Sequence, residues 1–249
     1  MSLRRATIFV RSAIAGLLLV VTTVASFIAS AEARPVVVEL FTSQGCSSCP
    51  KADAYLRELA AREDIIALSF NVDYWDYLGW KDTLASPAFT QRQRAYSRGL
   101  GLSGVYTPQM IVDGVVAGVG SHRDEIATAI AARAAKPLAV DMSFADNGDS
   151  LTLDVGAGPA PAKPATLWLV RYATEEKVEI RRGENRGREI AYAHAVRELT
   201  PIGMWNGAAT RMTLPKSELL TRGYEGCVAL LQAGDGGPIL GAAQIDLSE

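Results

Sequence analysis

Two cysteines stand two residues apart in the stretch Phe41 to Ala52, FTSQGCSSCPKA. Cys46 and Cys49 at that spacing can do three kinds of chemistry. One thiolate can attack a disulfide while the second sulfur reaches back to resolve the mixed disulfide. The pair can supply half of a tetrahedral zinc site. It can also close a short staple that never turns over. Zinc needs two further ligands, and the remaining candidates, Cys227, His122 and His194, form no second paired motif. A metal is therefore not expected. Redox exchange and the inert staple stay open on spacing alone, although a two-residue loop constrains the unfolded chain little.

The elements around the pair sharpen this. Residues 36–42, VVVELFT, are a valine-rich apolar run that suits a buried strand. A helix is expected from Pro50 to Arg62, with Ala52, Tyr55, Leu56 and Leu59 on its apolar face, and a second strand over 65–72. Strand, helix and strand at this spacing predict a βαβ unit with parallel strands. Cys46 then follows the first strand, and Cys49 stands where the helix begins. Free N–H groups and the positive end of the dipole lower the pKa of a thiol placed there. Pro50 disfavours the α region at Cys49, so the helix is expected to begin at Pro50 with Cys49 as its N-cap.

Further along, Ser86-Pro87 reads as an N-cap and first helical residue, with Gly99 just past the helix end. Asp113-Gly114 between QMIV and VVAGVG signals a hairpin. Ser121 with Asp124 and Glu125 predicts a last helix reaching about Ala135. After Lys136-Pro137 the texture changes to short strand-like pieces separated by glycine-rich turns. That pattern predicts a β-rich, sandwich-like second domain over 138–249, after an α/β domain over 34–137.

The N-terminus is set aside. Arg4, Arg5 and Arg11 precede an apolar run from Ala13 to Ala29, and small residues follow at Ala29-Ser30-Ala31 and Ala31-Glu32-Ala33. This is the layout of a secretory signal peptide over residues 1–33. The chain is expected to be exported, periplasmic or secreted, with no membrane span after cleavage. Disulfides persist in such compartments. The net charge of −2 gives no reason to expect nucleic acid as a partner. No small-molecule cofactor is implied, since no glycine-rich phosphate loop precedes a helix.

Tyr74, Trp75, Tyr77 and Trp80 crowd the loop after the second strand, which emerges on the same sheet edge as Cys46. They are candidates for a substrate platform, or for packing on the sheet edge and the second half. RRGENRGRE at 181–189 reads as a solvated hairpin tip that could also bind a partner. Cys227, in the apolar run CVALLQ, reads as a buried thiol.

With these residues placed, the first half resembles the thioredoxin superfamily. Three features carry the resemblance: Cys46-Ser47-Ser48-Cys49 after a buried strand, Thr107-Pro108 before QMIV, and Glu39 in the first strand. The resemblance implies a mixed sheet flanked by helices and a cis Pro108 facing the cysteines. It also implies that the backbone of Thr107 binds an extended peptide and that Glu39 relays a proton to Cys49. The whole chain is similar to a family of secreted bacterial proteins of unknown function, through ELFTSQGCSSCPKAD, NVDYWDYLGWKD and RRGENRGREI. These readings together imply an exported thiol–disulfide oxidoreductase-like protein. Its partners would be protein or peptide thiols and a redox partner protein, with Cys46 exchanging and Cys49 resolving. The rival expectation is a non-enzymatic binding protein with a structural disulfide.

Overall fold

A computed structural model describes residues 35–247. The signal peptide expected over 1–33 lies outside the described residues. The elements run β1 (Val36–Thr42), α1 (Pro50–Ala60), β2 (Ile65–Asn71), α2 (Pro87–Gly99), β3 (Gln109–Val112), β4 (Val116–Val119) and α3 (Arg123–Ala134). Strands follow: β5 (Met142–Asp146), β6 (Ser150–Val155), β7 (Ala165–Glu179), β8 (Glu189–Trp205), β9 (Thr210–Pro215), β10 (Gly226–Ala233) and β11 (Ile239–Asp246).

Eight strands make one mixed sheet in the order β11-β10-β7-β8-β2-β1-β3-β4, and β5-β6-β9 make a second, antiparallel sheet. β1 and β2 are parallel, as the intervening helix demands, and β3 runs antiparallel to β1. The large sheet continues across the expected boundary at residue 137. The join is a parallel bridge between Ser69 of β2 and Ala195 of β8. Beside it, His194 Nδ1 lies 2.9 Å from the Ala67 carbonyl, and burial lowers the imidazole pKa. A neutral ring with Nδ1–H donating to that carbonyl fits both facts. The described residues fall in one compact unit.

Alternation along β1 divides the core. Val38 and Leu40 pack against Ala52, Leu56 and Leu59 of α1 and Ile126 and Ile130 of α3. Val37 and Phe41 point to the other face, where Phe89 and Tyr96 of α2 meet Val170, Tyr172 and Val228 from the second half. Fully burying each such side chain contributes about 1.5–3 kcal/mol, so α2 ties both halves of the chain together. Beyond α1 and α3, the smaller sheet covers the rest of the first face: Leu153 and Val155 pack on Leu167, Ala229 and Leu231.

Local signals explain most boundaries. Ser86 accepts the Ala88 N–H and caps α2. Asp113 (φ 48°) and Gly114 (φ 69°) form the β3–β4 turn, in which two successive positive φ values favour Asp-Gly. Helix α3 is capped at His122 rather than Ser121, without a side-chain bond. The hairpin read at 181–189 implies a strand after it, but not one of the length of β8, the longest strand. Its Arg197, Glu198, Thr200 and Pro201 interrupt the alternation, and its pairing with β7 absorbs register shifts at Leu167/Trp168 and Arg171/Tyr172.

Candidate functional site

Cys46 and Cys49 are joined by a disulfide, with their Cα atoms 5.4 Å apart. Cys49 is the N-cap of α1 and Pro50 its first residue, as the proline required. Cys49 nevertheless takes the α conformation (φ −72°, ψ −36°), against the bias of a following proline. A tight turn holds it there: Cys49 N–H donates to the Cys46 carbonyl at 3.2 Å, and Cys46 N–H to the Ser43 carbonyl at 3.1 Å. Ser48 Oγ lies 3.3 Å from Cys46 Sγ. Ser47 and Ser48 are exposed, but Cys46 is only 1% exposed and Cys49 is fully buried.

Two segments clasp this loop. The first is the aromatic loop after β2. Trp80 Nε1 donates to Gln44 Oε1 at 2.8 Å, and Gln44 N–H donates to Asp82 Oδ2 at 2.8 Å. Trp75 packs on Gly45, where a Cβ would come within 3.2 Å of the Trp75 Cβ. The second is the β7–β8 tip, read from sequence as solvated. Its Asn185 is fully buried and donates through Nδ2 to the carbonyls of Gln44 (2.9 Å) and Cys46 (2.8 Å). Its Glu184 accepts the Ser47 N–H at 3.3 Å. Sequence patterning missed Asn185 because charges flank it and nothing in a Gly-Glu-Asn-Arg-Gly turn marks its contact with a distant loop.

The two buried acids are placed very differently. Glu39, expected to relay a proton to Cys49, points from β1 to the α2 face, opposite the face that α1 covers. There Arg92 grips it with two hydrogen bonds, and Tyr96 donates a third. The structure does not bring Glu39 together with the cysteines through any direct contact. Asp53 was not singled out from sequence. It lies on α1 four residues after Cys49, which puts both on one helix face, and its N–H donates to the Cys49 carbonyl at 3.1 Å. That spacing was the available signal. Asp53 is 2% exposed, and neither carboxyl oxygen finds a well-aligned hydrogen-bond partner. Burial pushes its carboxyl up to about 8; the neighbouring Thr42 hydroxyl opposes this in part and the charge of Asp82 adds to it. Asp53 also lines a cavity of about 350 Å³ between Pro50, Arg57 and β8 that opens to solvent.

The Thr107–Pro108 peptide is cis. Pro108 is buried, and its carbonyl accepts the Gly120 N–H at 2.9 Å; a Cβ on Gly120 would touch Ala52 of α1 at 3.1 Å. Gly120, bonded to the proline, thus lies against the cysteine helix. Tyr74 lies beside Gln93 and Thr107, its buried hydroxyl without a well-aligned hydrogen-bond partner, and burial pushes that phenol up to about 12. The four aromatics divide. Tyr74 and Trp75, their rings 6.4 Å apart, link the Thr107 segment to Gly45. Trp80 packs with Ile180, Ile190 and Tyr192 beneath the β7–β8 tip. Tyr77 projects into solvent at 80% exposure. Cys227 is apart from all of these, buried among Leu151, Leu169 and Leu219, with burial holding its thiol up at about 12.

Fold and site together define a strand-rich α/β protein with a disulfide at a helix N-terminus, clasped from both halves of one chain. The chain belongs to the family described as a protein of unknown function, DUF1223, whose model matches residues 37–232. It is similar to the crystal structure of a structural-genomics target from Agrobacterium tumefaciens. The identity is 38%, over 88% of this chain and 96% of that one, with a TM-score of 0.77. HBP35 of Porphyromonas gingivalis shares the fold at 17% identity, covering 87% of this chain and 76% of that one, with a TM-score of 0.57. No curated protein matches the chain. Among the described residues, no helix is long and apolar enough to cross a membrane.

Proposed function

We propose that the chain is an exported thiol–disulfide oxidoreductase-like protein with a thioredoxin-like first half, working on protein or peptide thiols. The observation that carries this is the Cys46–Cys49 disulfide at the start of α1, one helical turn before a buried, unpaired carboxyl. The parallel β1–α1–β2 unit, the antiparallel β3–β4 hairpin and the cis peptide before β3 support the thioredoxin-like reading.

In the oxidising direction a substrate thiolate attacks Cys46 Sγ. A substrate–Cys46 bond forms, the Cys46–Cys49 bond breaks, and Cys49 leaves as a thiolate. Asp53, protonated below about pH 8, supplies a proton to that thiolate, and the adjoining cavity returns one from solvent. A second substrate thiolate then attacks the substrate sulfur and releases Cys46 as a thiolate beside the N-terminus of α1. The substrate leaves oxidised and the protein reduced; the reverse sequence reduces a substrate disulfide. Trp75, packed on Gly45, flanks the approach. Because Cys46 is 1% exposed, the clasp has to shift before a substrate sulfur can enter.

That same burial favours a second reading, a binding protein in which the disulfide is a permanent staple. Trapping separates the two. Cys49→Ala should accumulate mixed disulfides through Cys46 with particular proteins of the export compartment, released by reductant. If Cys49→Ala traps no more than the Cys46→Ala/Cys49→Ala double variant, the staple reading stands.

A further inference from the structure

A cleft of about 600 Å³ opens between α2 and the strands of the second half, on the face of the large sheet opposite α1 and Asp53. Trp168 of β7 forms its floor, with Leu199 and Pro201 of β8 beside it. Its volume lies within the range of sites for small organic molecules. The β10–β11 turn presses Gly236 (φ +69°) so closely onto α2 that a Cβ there would stand 2.2 Å from the Ala95 carbonyl carbon.

The polar groups of the cleft favour one kind of ligand. Trp168 Nε1 is buried and has no hydrogen-bond partner. Arg92 already spends four N–H groups on Glu39, Tyr96 and Gln232, and Glu39 cancels its charge. Arg98 is matched at the rim by Asp235 at 2.7 Å. Arg94 lines the cleft with no carboxylate partner among the described residues. The balance is one unmatched positive charge and an unmet indole donor above an apolar floor. A charge-assisted hydrogen bond to a buried donor is about twice as strong as a neutral one, so an anionic acceptor gains most here. We propose that this cleft binds a small organic carboxylate. Its carboxylate accepts from Arg94 and Trp168 Nε1, and its apolar body lies against Leu199 and Pro201. The site is separate from the disulfide, and the proposal does not depend on thiol chemistry.

Calorimetric titration of the intact chain tests it, with 2-naphthoate and octanoate as probes and their amides as uncharged counterparts. At least one acid should bind one-to-one, and its amide at least about tenfold more weakly, a difference of about 1.4 kcal/mol. Arg94→Gln, on the exposed side of α2, should weaken the acid by a similar factor and leave the amide unchanged. Trp168→Phe, which keeps the ring and removes the N–H, should weaken the acid too; circular dichroism would show that both variants fold. Equal binding of acid and amide, indifference to both substitutions, or no saturable binding of either acid would overturn the proposal.

Discussion

At the residue scale, Asp53 is the residue on which the proposed chemistry turns. Its raised pKa has a consequence for stability whose sign is fixed. Between about pH 4, where an unfolded Asp loses its proton, and about pH 8, the folded chain holds a proton that the unfolded chain has released. Stability therefore falls as pH rises through that window, by about 1.4 kcal/mol per pH unit. Asp53→Asn should remove this component, so urea titrations at about pH 5 and about pH 7.5 should show a smaller loss for the variant than for the parent. The same variant should slow thiol exchange by about 10²-fold and abolish an inflection near pH 8 in the rate, since an amide cannot move the proton. An unchanged pH profile would remove Asp53 from the reaction. Glu39 is by contrast a paired acid, held by Arg92 and Tyr96. Arg92→Met strands a buried carboxylate and should cost about 3–5 kcal/mol in urea unfolding. Glu39→Leu/Arg92→Met should recover most of that, and neither variant should alter the potential of the disulfide. Both acids are visible in the sequence. Only the alternation of β1 and the four-residue spacing on α1 say which one faces the cysteines.

At the element scale, the length of β8 and the path of the β7–β8 tip are the unexpected parts. The hairpin's apolar base pairs within the sheet, and its charged tip travels back over the cysteine loop. Asn185 supplies donors to two carbonyls of that loop. Asn185→Ala leaves those acceptors without them and should cost about 1–3 kcal/mol. It should also speed reduction of the disulfide by dithiothreitol, because the clasp over Cys46 loosens. If reduction is no faster, the tip does not control access. The helices and β1–β4 were legible because each is bounded by its own caps and turns: Ser86-Pro87, Asp113-Gly114, Cys49-Pro50. β8 was not, because its length is set by pairing with β7 and not by its own alternation. Asn185 was not legible for a related reason, since its partners lie more than a hundred residues away in the chain.

At the scale of the whole molecule, two textures in the sequence become one sheet. Residues 34–137 read as a domain from pattern, yet β2 bridges to β8 and α2 packs Phe89 and Tyr96 against Tyr172 and Val228. A fragment of residues 34–137 would expose that apolar face and should aggregate or remain unfolded by circular dichroism, whereas the full chain should unfold in one urea transition. A soluble, cooperatively folding fragment would show that the halves are independent. The clasped disulfide is then a property of both halves together, and its chemistry is the central claim. The most direct test is the reduction potential of Cys46–Cys49 in the intact chain, measured by equilibration with dithiothreitol or glutathione. An exchanging pair should fall between about −120 and −270 mV, the span of known catalytic dithiols. A value below about −300 mV, where structural disulfides lie, would contradict it.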